Sequence, residues 1–146
     1  MIDSDGTIRW RVHLASPRER VYEMLTTAAG RRRFWAVSAP AREGNRIEFH
    51  FHNGATLVSR VLEAAPPARI RITYFDDSIV TFELMADGEG GTDILLTESG
   101  VPEETRVGNH AGWVSVLLSL KAAADHGIDL RNHDPHRPWD RGYVDV

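Results

Sequence analysis

Residues 112–125, with the sequence GWVSVLLSLKAAAD, decide the fold of this chain. Plotted as a helix, the stretch has one apolar stripe, made of Trp113, Leu117, Leu120 and Ala124. A neighbouring stripe is also apolar and consists of Val107, Ala111, Val114 and Leu118. Because one sheet face does not need so wide an apolar arc, we expect the helix also to face a pocket, other helices or a partner chain.

The ends of this helix are marked by ordinary signals. Pro102 precedes Glu103 and Glu104, whose carboxylates suit the first turn of a helix. Gly127 is expected to end the helix in a left-handed conformation. A break in the helix is expected near Gly108.

Most of the chain before this helix alternates apolar and polar residues, which is typical of half-buried strands. Turn residues such as Asn53-Gly54 and Pro66-Pro67 separate the alternating runs. About seven strands are predicted, around residues 8–14, 36–42, 46–52, 56–63, 70–74, 80–84 and 94–98.

Two short helices are predicted after the first strand. Ser16-Pro17-Arg18-Glu19 is typical of a helix start, with a capping serine and a glutamate three residues later. The first helix is expected over residues 17–27, with Gly30 as its stop. The second is expected over residues 31–35, with Phe34 and Trp35 turned inward.

A long apolar helix that follows a run of strands needs a curved sheet to wrap it. We therefore predict an α+β fold, with a curved antiparallel sheet of six or seven strands wrapped around the last helix. Residues 1–131 are expected to form one domain. Residues 132–146, which include Trp139 and Tyr143, are expected to pack on that domain or on a partner chain.

Composition excludes several classes of protein. The 146 residues contain no cysteine, so disulfides and thiol chemistry are excluded, and a cytoplasmic location is expected. The net charge of −4 argues against a nucleic-acid binder, and residues 31–33, Arg-Arg-Arg, are interpreted as a solvated cluster. No apolar run approaches the roughly 20 residues that cross a bilayer, so membrane insertion is not expected.

A sheet that wraps a helix tends to enclose a cavity, and ligand sites are mostly apolar with a few placed polar groups. Glu98 is of interest because the period of its strand directs it inward, where a carboxylate needs a partner. Arg60, Arg71 and Tyr74 are its candidate partners. The predicted ligand-binding residues are Trp35, Phe49, Tyr74, Phe82, Glu98, His110, Trp113 and Leu117.

No metal, cofactor or catalytic residue is predicted. His50 and His52 share one strand face, but a catalytic zinc site needs a third protein ligand and the apolar neighbours take the other face. Both histidines are therefore expected to be exposed. No Ser/His/Asp set accompanies His110 near the start of the last helix.

Several segments together resemble the START-like helix-grip superfamily. They are residues 16–26 (SPRERVYEMLT), Phe34-Trp35, Gly112-Trp113, residues 117–121 and Gly127. Within the superfamily, the chain looks most like the branch related to the activator of Hsp90 ATPase. That branch often carries Trp-Trp where this chain has Phe34-Trp35.

The resemblance implies one of three functions. The first is a non-enzymatic carrier or sensor of a small, apolar or amphipathic molecule. The second is an enzyme of the cyclase or dehydratase kind, with His110, Glu98 or Tyr74 moving protons. The third is a module that contacts a chaperone through residues 31–33. We favour the first, and a homodimer is compatible with each.

Overall fold

One antiparallel sheet forms the body of the computed structural model, which describes residues 1–145. Its spatial order is β1-β7-β6-β5-β4-β3-β2, so the first strand lies at one edge and pairs with the last. The strands are β1 Ile8–Leu14, β2 Ala41–Arg42, β3 Arg46–His50, β4 Thr56–Ala65, β5 Arg69–Thr73, β6 Ile79–Ala86 and β7 Thr92–Ser99. The predicted α+β helix-grip fold is confirmed.

Helix α3, Glu103–His126, is continuous through Gly108, so the break does not occur. Its first apolar stripe is buried against the sheet, and Gly127 ends the helix with a φ of 65°. The second stripe is largely exposed, since 72% of Val107 and 49% of Leu118 are accessible. Within residues 1–145, every helix is too short or too polar to span a bilayer.

The two short helices differ from the prediction in their ends. Helix α1 is Arg18–Thr26 and helix α2 is Ala28–Arg32, so Gly30 lies inside the second helix instead of ending the first. A side chain at Gly30 would clash with the backbone of Met24, so the glycine allows the two helices to approach closely. Phe34 and Trp35 are buried, as predicted.

The interpretation of residues 31–33 as a solvated cluster is wrong for Arg31, which is only 1% exposed. Its Nε and Nη2 donate to the carbonyl of Ala39 at 3.0 and 2.7 Å, and its Nη1 donates to the carbonyl of Leu25 at 3.2 Å. Burial lowers the pKa of Arg31 to about 10. The side chain joins α1 and α2 to the segment that leads into β2.

Asp125, in the last turn of α3, ties that helix to the start of α1. Its Oδ1 accepts hydrogen bonds from the backbone N–H and the hydroxyl of Ser16, at 2.9 and 2.7 Å. Its Oδ2 accepts from the N–H of Ala15 at 2.9 Å and from Lys121 Nζ at 3.2 Å. Ser16 therefore does not cap α1 with its side chain, because its hydroxyl donates to Asp125.

Burial alone would raise the pKa of Asp125, but the donors from Ala15, Ser16 and Lys121 outweigh it and lower the pKa to about 2. We predict that Asp125→Asn lowers the free energy of unfolding by about 2 kcal/mol at neutral pH. The stability from a depressed carboxyl pKa is present above pH of about 4 and is lost as the pH falls toward the folded-state value. The cost of the substitution should therefore shrink over that range.

Urea denaturation at a series of pH values checks this prediction. Asp140→Asn makes the same change at an exposed position and should have little effect. A cost for Asp125→Asn that stays constant from neutral pH to pH 2 would show that the charge of Asp125 does not hold the helices together.

Candidate functional site

A cleft of about 250 Å³ opens between the first half of α3 and the loops that follow β3 and β5. This volume lies just below the roughly 300–1,000 Å³ of drug-sized ligand sites, so the cleft suits a small molecule. Its lining is mostly apolar and consists of Phe51, Asn53, Ala55, Tyr74, Phe75, Asp76, Thr105, Gly108, Asn109, Gly112, Trp113, Val116 and Trp139.

Aromatic rings form a continuous wall of the cleft. The ring centroids of Phe51 and Phe75 are 5.5 Å apart, those of Phe75 and Tyr74 are 4.9 Å apart, and those of Tyr74 and Trp113 are 5.0 Å apart. Such spacings are typical of favourable offset and edge-to-face contacts. The wall joins the loop after β3, the loop after β5 and α3.

Two glycines leave room on the helical side of the cleft. Gly108 and Gly112 are one turn apart in α3, and a Cβ added at either would meet no atom within 4 Å. Glycine inside a helix costs roughly 0.5–1 kcal/mol relative to alanine. Since packing does not require glycine at either position, the open space beside the helix is their main structural effect.

Glu98, in β7, is fully buried beside the cleft. Its Oε1 accepts from the hydroxyl of Ser78 at 2.6 Å and from Asn109 Nδ2 at 3.2 Å. Its Oε2 accepts from Trp113 Nε1 at 2.7 Å. The predicted partners Arg60, Arg71 and Tyr74 are thus replaced by Ser78, Asn109 and Trp113.

Burial raises the pKa of the Glu98 carboxyl. Hydrogen bonds from Ser78, Trp113 and Asn109 oppose this rise, and the nearby charge of Asp76 reinforces it. A buried carboxyl with a raised pKa beside a cleft is a feature of functional sites. Here its two oxygens orient Trp113 and Asn109, both of which line the cleft.

The predicted ligand-binding residues fall into several positions. Tyr74 and Trp113 line the cleft, and Glu98 lies directly behind it. Trp35 is buried under the cleft, where its Nε1 donates to the hydroxyl of Tyr74 at 3.1 Å, and burial raises the pKa of that hydroxyl. The other buried members of the set belong to the core beneath, and these are Phe49, Phe82 and Leu117.

His110 does not line the cleft. Its ring stacks on Trp10 with centroids 4.5 Å apart, and its Nε2 lies 3.0 Å from the N-terminal amine. Partial burial and the charge of the N-terminus lower the pKa of His110. A role for His110 in binding stays a prediction, and the geometry places the residue beside β1.

Sequence reasoning did not select several lining residues. Phe75 and Asp76 lie in a 3-10 turn after β5, and Thr105 lies in the first turn of α3. The usable signal was the one-turn spacing of Gly108 and Gly112 beside Trp113.

The segment after α3 returns to the cleft. Arg131 is 6% exposed and donates to the carbonyls of Ala36 and Arg32 at 3.0 and 2.6 Å. Farther along, Trp139 is part of the cleft lining, although 40% of the residue remains accessible. The segment therefore contributes one side chain to the site.

The two histidines of the β3 region pair with different partners. His50 Nε2 lies 2.8 Å from Glu48 Oε1, and His52 Nε2 lies 2.9 Å from His133 Nδ1. Within the described part of the chain, no group of three His, Asp or Glu side chains is arranged to hold a metal ion.

A curved antiparallel sheet that grips a long C-terminal helix, with a cleft at one end of that helix, defines the protein as a helix-grip protein. The chain belongs to the family described as Activator of Hsp90 ATPase homolog 1-like protein, whose model matches residues 15–125. No curated protein matches the sequence at a significant level.

Solved structures share the fold. SSP2350 from Staphylococcus saprophyticus is 24% identical with a TM-score of 0.75, over 86% of this chain and 96% of that protein. The Aha1 dimer from Colwellia psychrerythraea is 24% identical with a TM-score of 0.75, over 83% of this chain and 97% of that one. DynU16, a putative protein in the dynemicin biosynthetic locus, is 21% identical with a TM-score of 0.73, over 87% of this chain and 49% of that one.

We predict that Glu98→Ala lowers the free energy of unfolding by about 3 kcal/mol, because it leaves the donors of Ser78, Asn109 and Trp113 without their acceptor. Glu98→Gln should cost less, since its amide keeps an acceptor and its NH₂ can donate to the Ser78 hydroxyl. Glu83→Ala, at a half-exposed position of β6, should change stability by no more than about 0.5 kcal/mol.

The pH dependence of the unfolding free energy distinguishes the effect of the Glu98 charge from the effect of its packing. Because its pKa is raised in the folded state, the unfolding free energy should fall as the pH rises from about 4 until Glu98 has ionised in the folded protein. Glu98→Gln should lack this component. Identical pH profiles for the wild type and Glu98→Gln in chemical denaturation would refute the account of this carboxyl.

Proposed function

We propose that the protein is a non-enzymatic carrier or sensor that binds a small, largely apolar molecule in the cleft. The observation that carries the proposal is the continuous aromatic wall of Phe51, Phe75, Tyr74 and Trp113 in the same cleft as the open space beside Gly108 and Gly112. Aromatic side chains provide large apolar contact areas with defined geometry, which suits recognition of a compact organic ligand.

The arrangement of Glu98 favours binding over catalysis. Both carboxylate oxygens accept hydrogen bonds from the protein, and Trp113 and Asn109 lie between the carboxylate and the cleft. General acid-base catalysis requires the reacting group to be within hydrogen-bond reach of the substrate proton. A cyclase-like or dehydratase-like reaction remains the alternative, because burial raises the pKa of Glu98 beside an apolar cleft.

A substitution that fills the cleft should weaken ligand binding without lowering the stability of the fold. We predict that Gly112→Leu weakens the binding of the neutral fluorescent probe N-phenyl-1-naphthylamine at least about tenfold, since the new side chain occupies the space that the ligand needs. The melting temperature should not fall, because a Cβ at this position meets no atom within 4 Å and replacing a helical glycine by a non-glycine residue favours the helix by roughly 0.5–1 kcal/mol.

Fluorescence titration and thermal denaturation provide the two readouts. Ala86→Leu adds a leucine at an exposed position of β6, outside both the cleft lining and the exposed stripe of α3, and should keep wild-type probe binding. Equal binding to the wild type and Gly112→Leu, or no saturable binding to the wild type, would contradict the proposal.

The exposed stripe of α3 suggests a second copy of this chain as a partner. Val107, Ala111, Val114 and Leu118 recur at helical spacing on the outer face, and monomeric proteins seldom expose contiguous apolar patches without a function. The similar protein from Colwellia psychrerythraea was solved as a dimer. A chaperone is the competing partner for this surface, since the family is described as Activator of Hsp90 ATPase homolog 1-like protein.

We predict that the protein is a dimer by light scattering after size-exclusion chromatography. Leu118→Glu should shift it to the monomer, because a charge buried within an apolar interface loses its hydration. Leu62→Glu makes the same change at a comparably exposed position of β4, outside the stripe of α3, and should leave the dimer unchanged. A wild-type monomer at high protein concentration would remove the dimer and leave the surface to another partner.

A further inference from the structure

The cleft combines aromatic faces with negative charge. Five of its lining residues are aromatic, one is Asp76, and none of the lining residues that the structure describes is Lys or Arg. We propose that the ligand of this cleft is an organic cation, such as an alkylammonium ion or a protonated aromatic amine. This inference rests on the proposed binding function and names the chemical class of the ligand.

The aromatic wall supplies the first part of the argument. The face of an aromatic ring is electron-rich and attracts a cation within about 6 Å, and the attraction increases when the cation is desolvated. Trp113, Tyr74, Phe75 and Phe51 form the wall, and Trp139 adds an indole from the segment after α3. A cation in a cleft of this size would meet more than one of these rings.

The hydrogen bond between Trp113 and Glu98 supplies the second part. The indole Nε1–H donates to the carboxylate Oε2 at 2.7 Å, on a glutamate that is fully buried. A carboxylate that accepts from an indole N–H polarises the ring and makes its face more electron-rich, as hydrogen-bonded groups polarise one another in a low dielectric. The tryptophan of the wall is therefore a stronger cation acceptor than an unpaired indole.

The rim of the cleft supplies the third part. Asp76 is exposed at the rim and has a φ of 56°, a left-handed conformation that aspartate tolerates better than most residues. Basic side chains nearby are directed elsewhere: Arg106 donates to the carbonyl of Val101, and Arg137 pairs with Asp134 at 3.0 Å. An anionic ligand such as a fatty acid would meet Asp76, and no lining residue that the structure describes is a Lys or Arg that could offset this charge.

Three probes of similar size test the inference. Phenyltrimethylammonium and tert-butylbenzene have nearly the same shape and differ in charge, and benzenesulfonate carries the opposite charge. Their binding is followed by the chemical shifts of the tryptophan indole N–H groups in the full chain. We expect phenyltrimethylammonium to bind about tenfold more tightly than tert-butylbenzene, and benzenesulfonate to bind the weakest of the three.

Asp76→Asn tests the contribution of the rim. Asparagine also tolerates a left-handed backbone, so the turn is kept. The substitution should weaken phenyltrimethylammonium binding about threefold and leave tert-butylbenzene unchanged. Asp93→Asn makes the same charge change in β7 at a position outside the lining and should affect neither probe.

The outcomes separate the ligand class from the function. If tert-butylbenzene or benzenesulfonate binds as tightly as phenyltrimethylammonium, the inference that the ligand is a cation is overturned, but the proposed binding function of the cleft is not. Failure of all three probes to bind would overturn both. Cation binding that is unchanged in Asp76→Asn but lost in Gly112→Leu would support the aromatic part of the site and overturn the role of the rim.

Discussion

The buried carboxylate of Glu98 is the constraint on which the mouth of the cleft depends. Transfer of an ionised carboxylate from water costs several kcal/mol unless hydrogen bonds replace its hydration. Here those bonds come from Ser78, just before β6, and from Asn109 and Trp113 on α3. The need to satisfy one side chain therefore joins the sheet to the first half of the helix and orients the tryptophan of the aromatic wall.

A second carboxylate holds the other end of the same helix. Asp125 accepts four hydrogen bonds, three of them from Ala15 and Ser16, and so fixes the last turn of α3 against the start of α1. Between the two carboxylates the helix is held by apolar packing of its inner stripe. Room for a ligand arises next to Glu98, where glycines replace larger side chains.

Much of the fold was predictable because it depends on local patterns. The alternation of apolar and polar residues predicted the strands and the inward direction of Glu98. The apolar stripe and Gly127 predicted the last helix and its end. The partners of Glu98 were not predictable, since Ser78, Asn109 and Trp113 are brought to it by tertiary packing.

Other errors have the same origin. A run of three arginines looks solvated, yet Arg31 is buried because two carbonyls of neighbouring segments accept from it. His110 lies one residue from Asn109 along the helix, and this rotation of about 100° turns it toward Trp10 instead of the cleft. Chain position alone did not distinguish the two neighbours.

The most direct test of the central claim is native mass spectrometry of the purified protein, compared with its denatured mass. The account predicts an additional organic mass on the wild type that is lost on denaturation and is absent from Gly112→Leu. An additional mass that Gly112→Leu retains would place the ligand outside the cleft. A bare chain for the wild type, even after addition of phenyltrimethylammonium, would contradict the account.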